Sequence, residues 1–256
     1  MADNLIQLQN YLRRAHQAVL LFSGGLDSSL LLAAAAPILG PGLVALTFTG
    51  PHTVPGELAN AWELARRFKV RQVIREFDPL ALPDFRENSP ERCYVCKKAL
   101  IGQARALGER RGLRLLWDGT NLDDLGDFRP GLQAARELGV ESPLLAAGLG
   151  KVAIRELSRR LGLPGPRPPQ SCLATRFPYG ATLTRENLAR VGQAESWLRR
   201  RGFTQVRLRV SPEPGAVRLE LPTADWPAFL AAGVHGPFTA LVQRLGLGNL
   251  SLDSPG

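Results

Sequence analysis

Residues 23–29, Ser-Gly-Gly-Leu-Asp-Ser-Ser, gather into one turn the residue types that hold phosphate and a divalent cation. Adjacent glycines let the backbone aim its N–H groups at an anion, and Ser23, Ser28 and Ser29 add hydroxyl donors. Asp27 is placed to carry Mg²⁺ against the phosphates of ATP. No lysine follows Gly24 and Gly25, which excludes the phosphate loop that ends in Gly-Lys-Ser/Thr. A grip of this kind on pyrophosphate favours cleavage between the α- and β-phosphates, with AMP and pyrophosphate as products. The same residues would also serve as a plain glycine turn before a capped helix.

The second set of reactive residues is sulfur. The chain has three cysteines, Cys93, Cys96 and Cys172. Two residues between the first pair let both thiolates face one metal. A structural zinc wants four ligands, and the histidines are His16, His52 and His235, of which His52 could complete such a site. Three cysteines suit a 4Fe-4S cluster better, since they bind three irons and leave the fourth open. Unrelated buried or paired thiols in a reducing compartment would leave the same count. If the loop at 23–29 serves an adenylating enzyme, that enzyme needs a nucleophile, and sulfur is a natural one.

The elements that position these residues follow from periodicity. The apolar run 18–22 reads as a buried parallel strand, and 30–36 as a helix after the loop. An N-terminal helix is expected over 5–15, further strands over 43–48, 70–76 and 113–118, and helices over 58–68, from after the Cys93–Cys96 pair to about 112, and over 151–161. Strands alternating with helices predict an α/β fold with a doubly wound parallel sheet, whose ligands sit beyond the C-terminal strand ends. The loops after Phe22, Phe48, Glu76 and Asp118 open on that edge. Composition shifts at Pro164-Gly165-Pro166-Arg167-Pro168-Pro169, a stiff linker or a loop held over the site. Beyond it the pattern changes to a long helix over 185–201 capped by Thr184, strands over 205–210 and 216–221 in a hairpin, and a short helix over 224–233. The division expected is a nucleotide domain over 1–175 and a small α+β domain over 176–256.

Composition limits the partners. No apolar run reaches membrane length and the N-terminus lacks a signal pattern, so the expected location is the cytoplasm. The net charge of +9 invites a nucleic-acid reading. All the basic residues except Lys69, Lys97, Lys98 and Lys151 are arginine, however, so genome-wide bias would give the same charge.

The segment 23–29 resembles the signature of the PP-loop ATP pyrophosphatases. Taken in order with Cys93-Tyr94-Val95-Cys96-Lys97, Asp118-Gly119-Thr120-Asn121, Asp127-Phe128-Arg129-Pro130-Gly131 and the run Ser171 to Gly180, it is similar to the LarE family over about residues 15–225. The resemblance implies an ATP-dependent sulfur transferase of nickel-pincer nucleotide biosynthesis. Such an enzyme adenylates a carboxylate of pyridinium-3,5-biscarboxylic acid mononucleotide and converts it to a thiocarboxylate. Family members with a single cysteine, at the position of Cys172, sacrifice its sulfur. Members with all three hold a 4Fe-4S cluster that binds a transferable sulfide, and Cys93 and Cys96 put this chain in that group. The resemblance also implies a homo-oligomer and an external sulfide or sulfur donor.

Roles for other residues come from the same resemblance. Lys151 would reach phosphates, although an exposed lysine reads nearly as well. One of Asp124 and Asp127 would serve metal or substrate, or else be a turn residue. Arg207 and Arg209 alternate on a strand, so they share a face and would hold the mononucleotide phosphate; a solvated edge strand is the alternative. Arg176 would bind that phosphate or AMP, and Glu195 matches a family acid. The family's further acid in the last short helix has no counterpart inside it here, where Asp225 lies at the start and Ala228 farther in. Rival readings are a cluster-dependent tRNA thiolase of the same superfamily, for which no appended RNA-binding module is evident, and a non-catalytic nucleotide- or metal-binding protein.

Overall fold

The computed structural model describes residues 2–126, 130–165, 171–213, 215–231 and 233–253. In chain order the elements begin α1 (Ala2–Leu12), β1 (Ala18–Leu21), α2 (Leu26–Leu39), β2 (Leu43–Thr49), α3 (Glu57–Arg67), β3 (Arg71–Glu76), α4 (Pro83–Arg86) and α5 (Arg92–Glu109). They continue β4 (Leu116–Trp117), α6 (Pro130–Glu137), α7 (Pro143–Ala146), α8 (Lys151–Arg160) and α9 (Arg185–Arg199). The last are β5 (Arg207–Val210), β6 (Ala216–Glu220), α10 (Trp226–Leu230), α11 (His235–Arg244) and β7 (Asn249–Asp253). The chain forms two compact units, one of residues 1–50, 56–77 and 93–167, the other of 51–55, 78–92 and 168–256. No helix of the described residues is long and apolar enough to cross a membrane.

The first unit is the expected doubly wound sheet, with four parallel strands in the order β3-β2-β1-β4. Side-chain alternation along a strand feeds both faces. Ala18, Leu20, Leu43 and Ala45 join a core with α1, α2, α3 and α8, while Val19, Val44 and Leu46 join one with α5 and α6. Helix α2 is apolar on every side because Leu30, Leu31 and Leu32 are all fully buried. Each such leucine contributes roughly 1.5–3 kcal/mol. The chain moves outward from β1 to β2 and β3, then returns to the other side of β1 with β4. The switch of direction therefore falls between β1 and β4, where such sheets bind ligands.

Two local readings change. The helix after the loop starts at Leu26 rather than near residue 30, so Asp27, Ser28 and Ser29 occupy its first turn. The strand expected over 113–118 shrinks to Leu116–Trp117. Its hydrogen bonding passes to residue 141 instead: the Asp118 N–H donates to the Glu141 carbonyl, and the Glu141 N–H to Leu116.

The second unit is built on a three-stranded mixed sheet, β5-β6-β7. The expected hairpin is present, with Leu208 opposite Leu219. Thr184 caps α9 as its sequence indicates, its hydroxyl accepting from the Asn187 N–H at 3.1 Å. Helix α11 and the strand β7, which runs parallel to β6, were not expected from sequence. β7 is short, and what makes it a strand is its long-range pairing with β6.

Candidate functional site

The Gly24-Gly25 loop leaves β1 at Phe22, whose carbonyl accepts from Thr47 Oγ1 at 2.8 Å. Gly24 has a φ of +77°, and a Cβ there would lie 2.9 Å from the backbone nitrogen of Ala61, so both conformation and space demand glycine. Asn60 Nδ2 donates to the Gly24 carbonyl and fixes the loop against α3. Ser23 Oγ accepts from the Gly25 N–H and lies 3.2 Å from Ser28 Oγ, which donates to the Gly25 carbonyl. Gly25 is the N-cap of α2, and no side chain fills the cap. The leading N–H groups of a helix have no intrahelical acceptor, and an end of this kind can accept an anion. Ser29 Oγ is buried without a hydrogen-bond partner, and Asp27 is half-buried in the first turn.

The loop after β4 closes on the same helix end. A Cβ on Gly119 would come within 2.9 Å of the Ser28 nitrogen, so the Asp118-Gly119-Thr120-Asn121 run packs against the α2 terminus. Asp118, almost fully buried, accepts from the Thr120 N–H and the Ser142 hydroxyl and pairs with Lys97 Nζ at 3.7 Å. Asp123 Oδ2 accepts from the Lys151 N–H at 2.6 Å, and Gly150 leaves it the room. Lys151 is thus the first residue of α8, and its side chain is exposed. Asp124 is buried and accepts from the Asn121 N–H. Asp127 lies outside the described residues. Lys97 and Asp123 were missed by sequence reasoning. The signal for both was adjacency, to the cysteine pair for one and to Asp124 for the other.

Cys93 and Cys96 stand three residues apart in the first turn of α5 and so share a helical face. Cys93 is exposed, Cys96 buried and Cys172 half-buried, and no disulfide joins them. Thiolate donors suit an iron–sulfur cluster. Among the described residues no group of three or more His, Cys, Asp or Glu is arranged to hold a metal ion, with or without His52.

In the second unit Cys172 opens a single helical turn, 173–176. The Leu173 N–H donates to the His52 carbonyl at 2.9 Å, and Thr175 Oγ1 donates to the Cys172 carbonyl at 2.7 Å. Arg176, 1% exposed, holds this turn from beneath. Its Nη1 donates to the carbonyl and hydroxyl of Ser171 and to Thr175 Oγ1. Its Nε and Nη2 form a two-bond fork on Glu195 at 2.7 and 3.1 Å. Glu195 is fully buried and also accepts from Arg199 Nη2 and the Leu208 N–H. Arg209 reaches the turn as well, donating to the Thr175 carbonyl at 2.7 Å while pairing with Glu220. Arg207 is half-buried on the same strand face, opposite Glu220 in register.

Burial holds the His52 imidazole down to a pKa of about 4, against a smaller upward pull from Asp78. An unfolded histidine titrates near 6.5, so above that pH neither state is charged and His52 adds no pH dependence. Between about 6.5 and 4 the unfolded chain takes up the proton and the folded one does not. Stability should therefore fall as pH drops through this window, by roughly 3 kcal/mol at most. Urea midpoints measured from pH 7 to 4.5 test this, and the slope should flatten in His52→Leu.

No family model matches the chain. An uncharacterized protein of Synechocystis is 37% identical over all of this chain and 95% of its own length. A pyridinium-3,5-bisthiocarboxylic acid mononucleotide synthase of Lactiplantibacillus plantarum is 32% identical over 96% of this chain and 88% of its own length. A second uncharacterized protein, from Methanocaldococcus jannaschii, is 29% identical over 84% of each chain. With a glycine loop at the switch of a doubly wound sheet and this identity along nearly both full lengths, the chain belongs to the LarE family of pyridinium-3,5-bisthiocarboxylic acid mononucleotide synthases.

Proposed function

We propose that the protein is an ATP-dependent sulfur transferase of nickel-pincer nucleotide biosynthesis, acting on pyridinium-3,5-biscarboxylic acid mononucleotide. The observation that carries this reading is the uncapped α2 terminus with its flanking hydroxyls, in a chain related end to end to a synthase of the bisthiocarboxylic product. Ser23, Gly24, Gly25, Ser28 and Ser29 hold the leaving pyrophosphate, and Lys151 adds positive charge from α8. Asp27 would hold Mg²⁺, whose charge offsets that of the phosphates.

A carboxylate is a poor acyl donor because its oxygen is a poor leaving group. In the first step an oxygen of the substrate carboxylate attacks the α-phosphorus, and pyrophosphate departs with the electron pair of the broken P–O bond. In the second, hydrosulfide sulfur attacks the acyl carbon and AMP leaves, giving thiocarboxylate and a proton. Cys93, Cys96 and Cys172 would hold a 4Fe-4S cluster, which when bound supplies transferable sulfide. Arg207 and Arg209 bind the mononucleotide phosphate. Arg176 and Glu195 keep the Cys172 turn in place, so that the acyl carbon and sulfur are oriented rather than left to collide. On this reading the protein works in a reducing cytoplasm, where thiols stay reduced, and is a homo-oligomer.

The test is anaerobic incubation with ATP, sulfide and the mononucleotide. AMP, pyrophosphate and a thiocarboxylate are the expected products, and Asp27→Ala should slow pyrophosphate formation at least about a hundredfold, as loss of a key charge-stabilising group does. ADP as product, or sulfur entering tRNA in place of the mononucleotide, would overturn the reading.

A further inference from the structure

Arg92 is the first residue of the 18-residue helix α5 and is 7% exposed. Its Nε and Nη1 are buried and have no hydrogen-bond partner, and among the described residues no carboxylate pairs with it. The ring of Tyr179 covers it, with the guanidinium carbon 4.5 Å from the ring centroid. A buried cation without an anion is costly, and the N-terminal end of a helix is the wrong end for one. Both penalties have the same sign, and a bound anion relieves both.

The surroundings are built and polar. The Arg92 N–H donates to the Ser89 carbonyl and closes the turn 89–92. The hydroxyl of Ser89 in this turn is buried with no partner, as is Oδ1 of Asn88 beside it. Asn88, fully buried and with a φ of +50°, clamps the facing segment by donating to the carbonyls of Phe177 and Pro178 at 3.1 and 2.8 Å. That segment carries Tyr179, and the Gly180 N–H returns to the Asn88 carbonyl. One planar guanidinium and one hydroxyl suit a planar monoanion with two oxygens better than a phosphate dianion.

We propose that Arg92 and Ser89 form a carboxylate-binding site, which holds the carboxylate of the acceptor that is not reacting. The site itself stands on unsatisfied buried donors; the identity of its ligand rests on the function proposed above. A dicarboxylate acceptor presents one reacting group and one spectator, and a fixed spectator sets which ring position is offered for activation.

Calorimetric titration of the whole protein with pyridine-3,5-dicarboxylate and pyridine-3-carboxylate decides the matter. The dicarboxylate should bind about tenfold or more tightly, the worth of a hydrogen bond to a charged group. Arg92→Gln should erase that ratio while raising the melting temperature of the free protein, because an unpaired buried charge is gone. Arg92→Lys should restore only part of the ratio, since it keeps the charge and loses the planar donors. A ratio near one in the wild type, a ratio unchanged in Arg92→Gln, or displacement of the dicarboxylate by equimolar inorganic phosphate would overturn the site. If Arg92→Gln does not fold, Arg92→Lys and Ser89→Ala decide by the same ratio. Sulfur transfer to the mononucleotide, assayed in parallel on wild type, separates the two readings. Its failure beside a ratio that depends on Arg92 strikes the proposed function alone, and its success beside an unchanged ratio strikes the carboxylate site alone.

Discussion

Cys172→Ala is expected to abolish sulfur transfer, by at least about a thousandfold, while leaving adenylation intact. The two half-reactions draw on different residues. On the proposed mechanism activation uses the loop at 23–29, whereas Cys172 stands on the separate turn fixed by Arg176 and His52. Pyrophosphate exchange into ATP, dependent on the mononucleotide, should therefore persist in the variant. Cys93→Ser and Cys96→Ser should lose iron and sulfide together with multiple-turnover transfer. Transfer that survives in those two variants, once per chain and with consumption of the Cys172 sulfur, would replace cluster chemistry with sacrifice of the protein's own thiol. Transfer that survives Cys172→Ala would reject the sulfur site altogether.

Glu195→Ala is expected to destabilise the protein by about 3–5 kcal/mol, a large share of the 5–15 kcal/mol typical of a domain. The carboxylate is fully buried and shared by Arg176, Arg199 and the Leu208 N–H. Removing it leaves the 1%-exposed guanidinium of Arg176 uncompensated. It also frees the turn that carries Cys172, so sulfur transfer should fall more than pyrophosphate exchange. Glu195→Gln keeps an acceptor oxygen and should lose less. Urea unfolding at pH 7 checks the order of the three proteins. A loss below about 1 kcal/mol in Glu195→Ala, the scale of an exposed pair, would mean that the charges find water when the partner is gone.

Much of the first unit was legible because its signals are local. Apolar runs such as 18–22 mark buried strands by composition alone, and the glycines at 24 and 25 mark the strand-to-helix turn by residue type. The cap of α9 by Thr184 and the hairpin of β5 and β6 are likewise decided within a few residues of chain. The family resemblance rests on motifs whose order a linear reading preserves.

What a linear reading could not supply is anything set by distant partners. β4 ends early because the Asp118 N–H finds the Glu141 carbonyl, and β7 exists because β6 is beside it. The same holds for charge. Nothing in residue type or spacing marks Arg176, Glu195 or Arg92 as buried. The fold buries all three, pairs the first two, and leaves the last without a carboxylate among the described residues. Motif and periodicity determined the fold class, the glycine turn at 23–29 and the candidate cysteines, since these depend on residue type and spacing alone. Only tertiary structure decided which arginines are neutralised, because desolvation and pairing depend on what the folded chain brings within about 3 Å of each group.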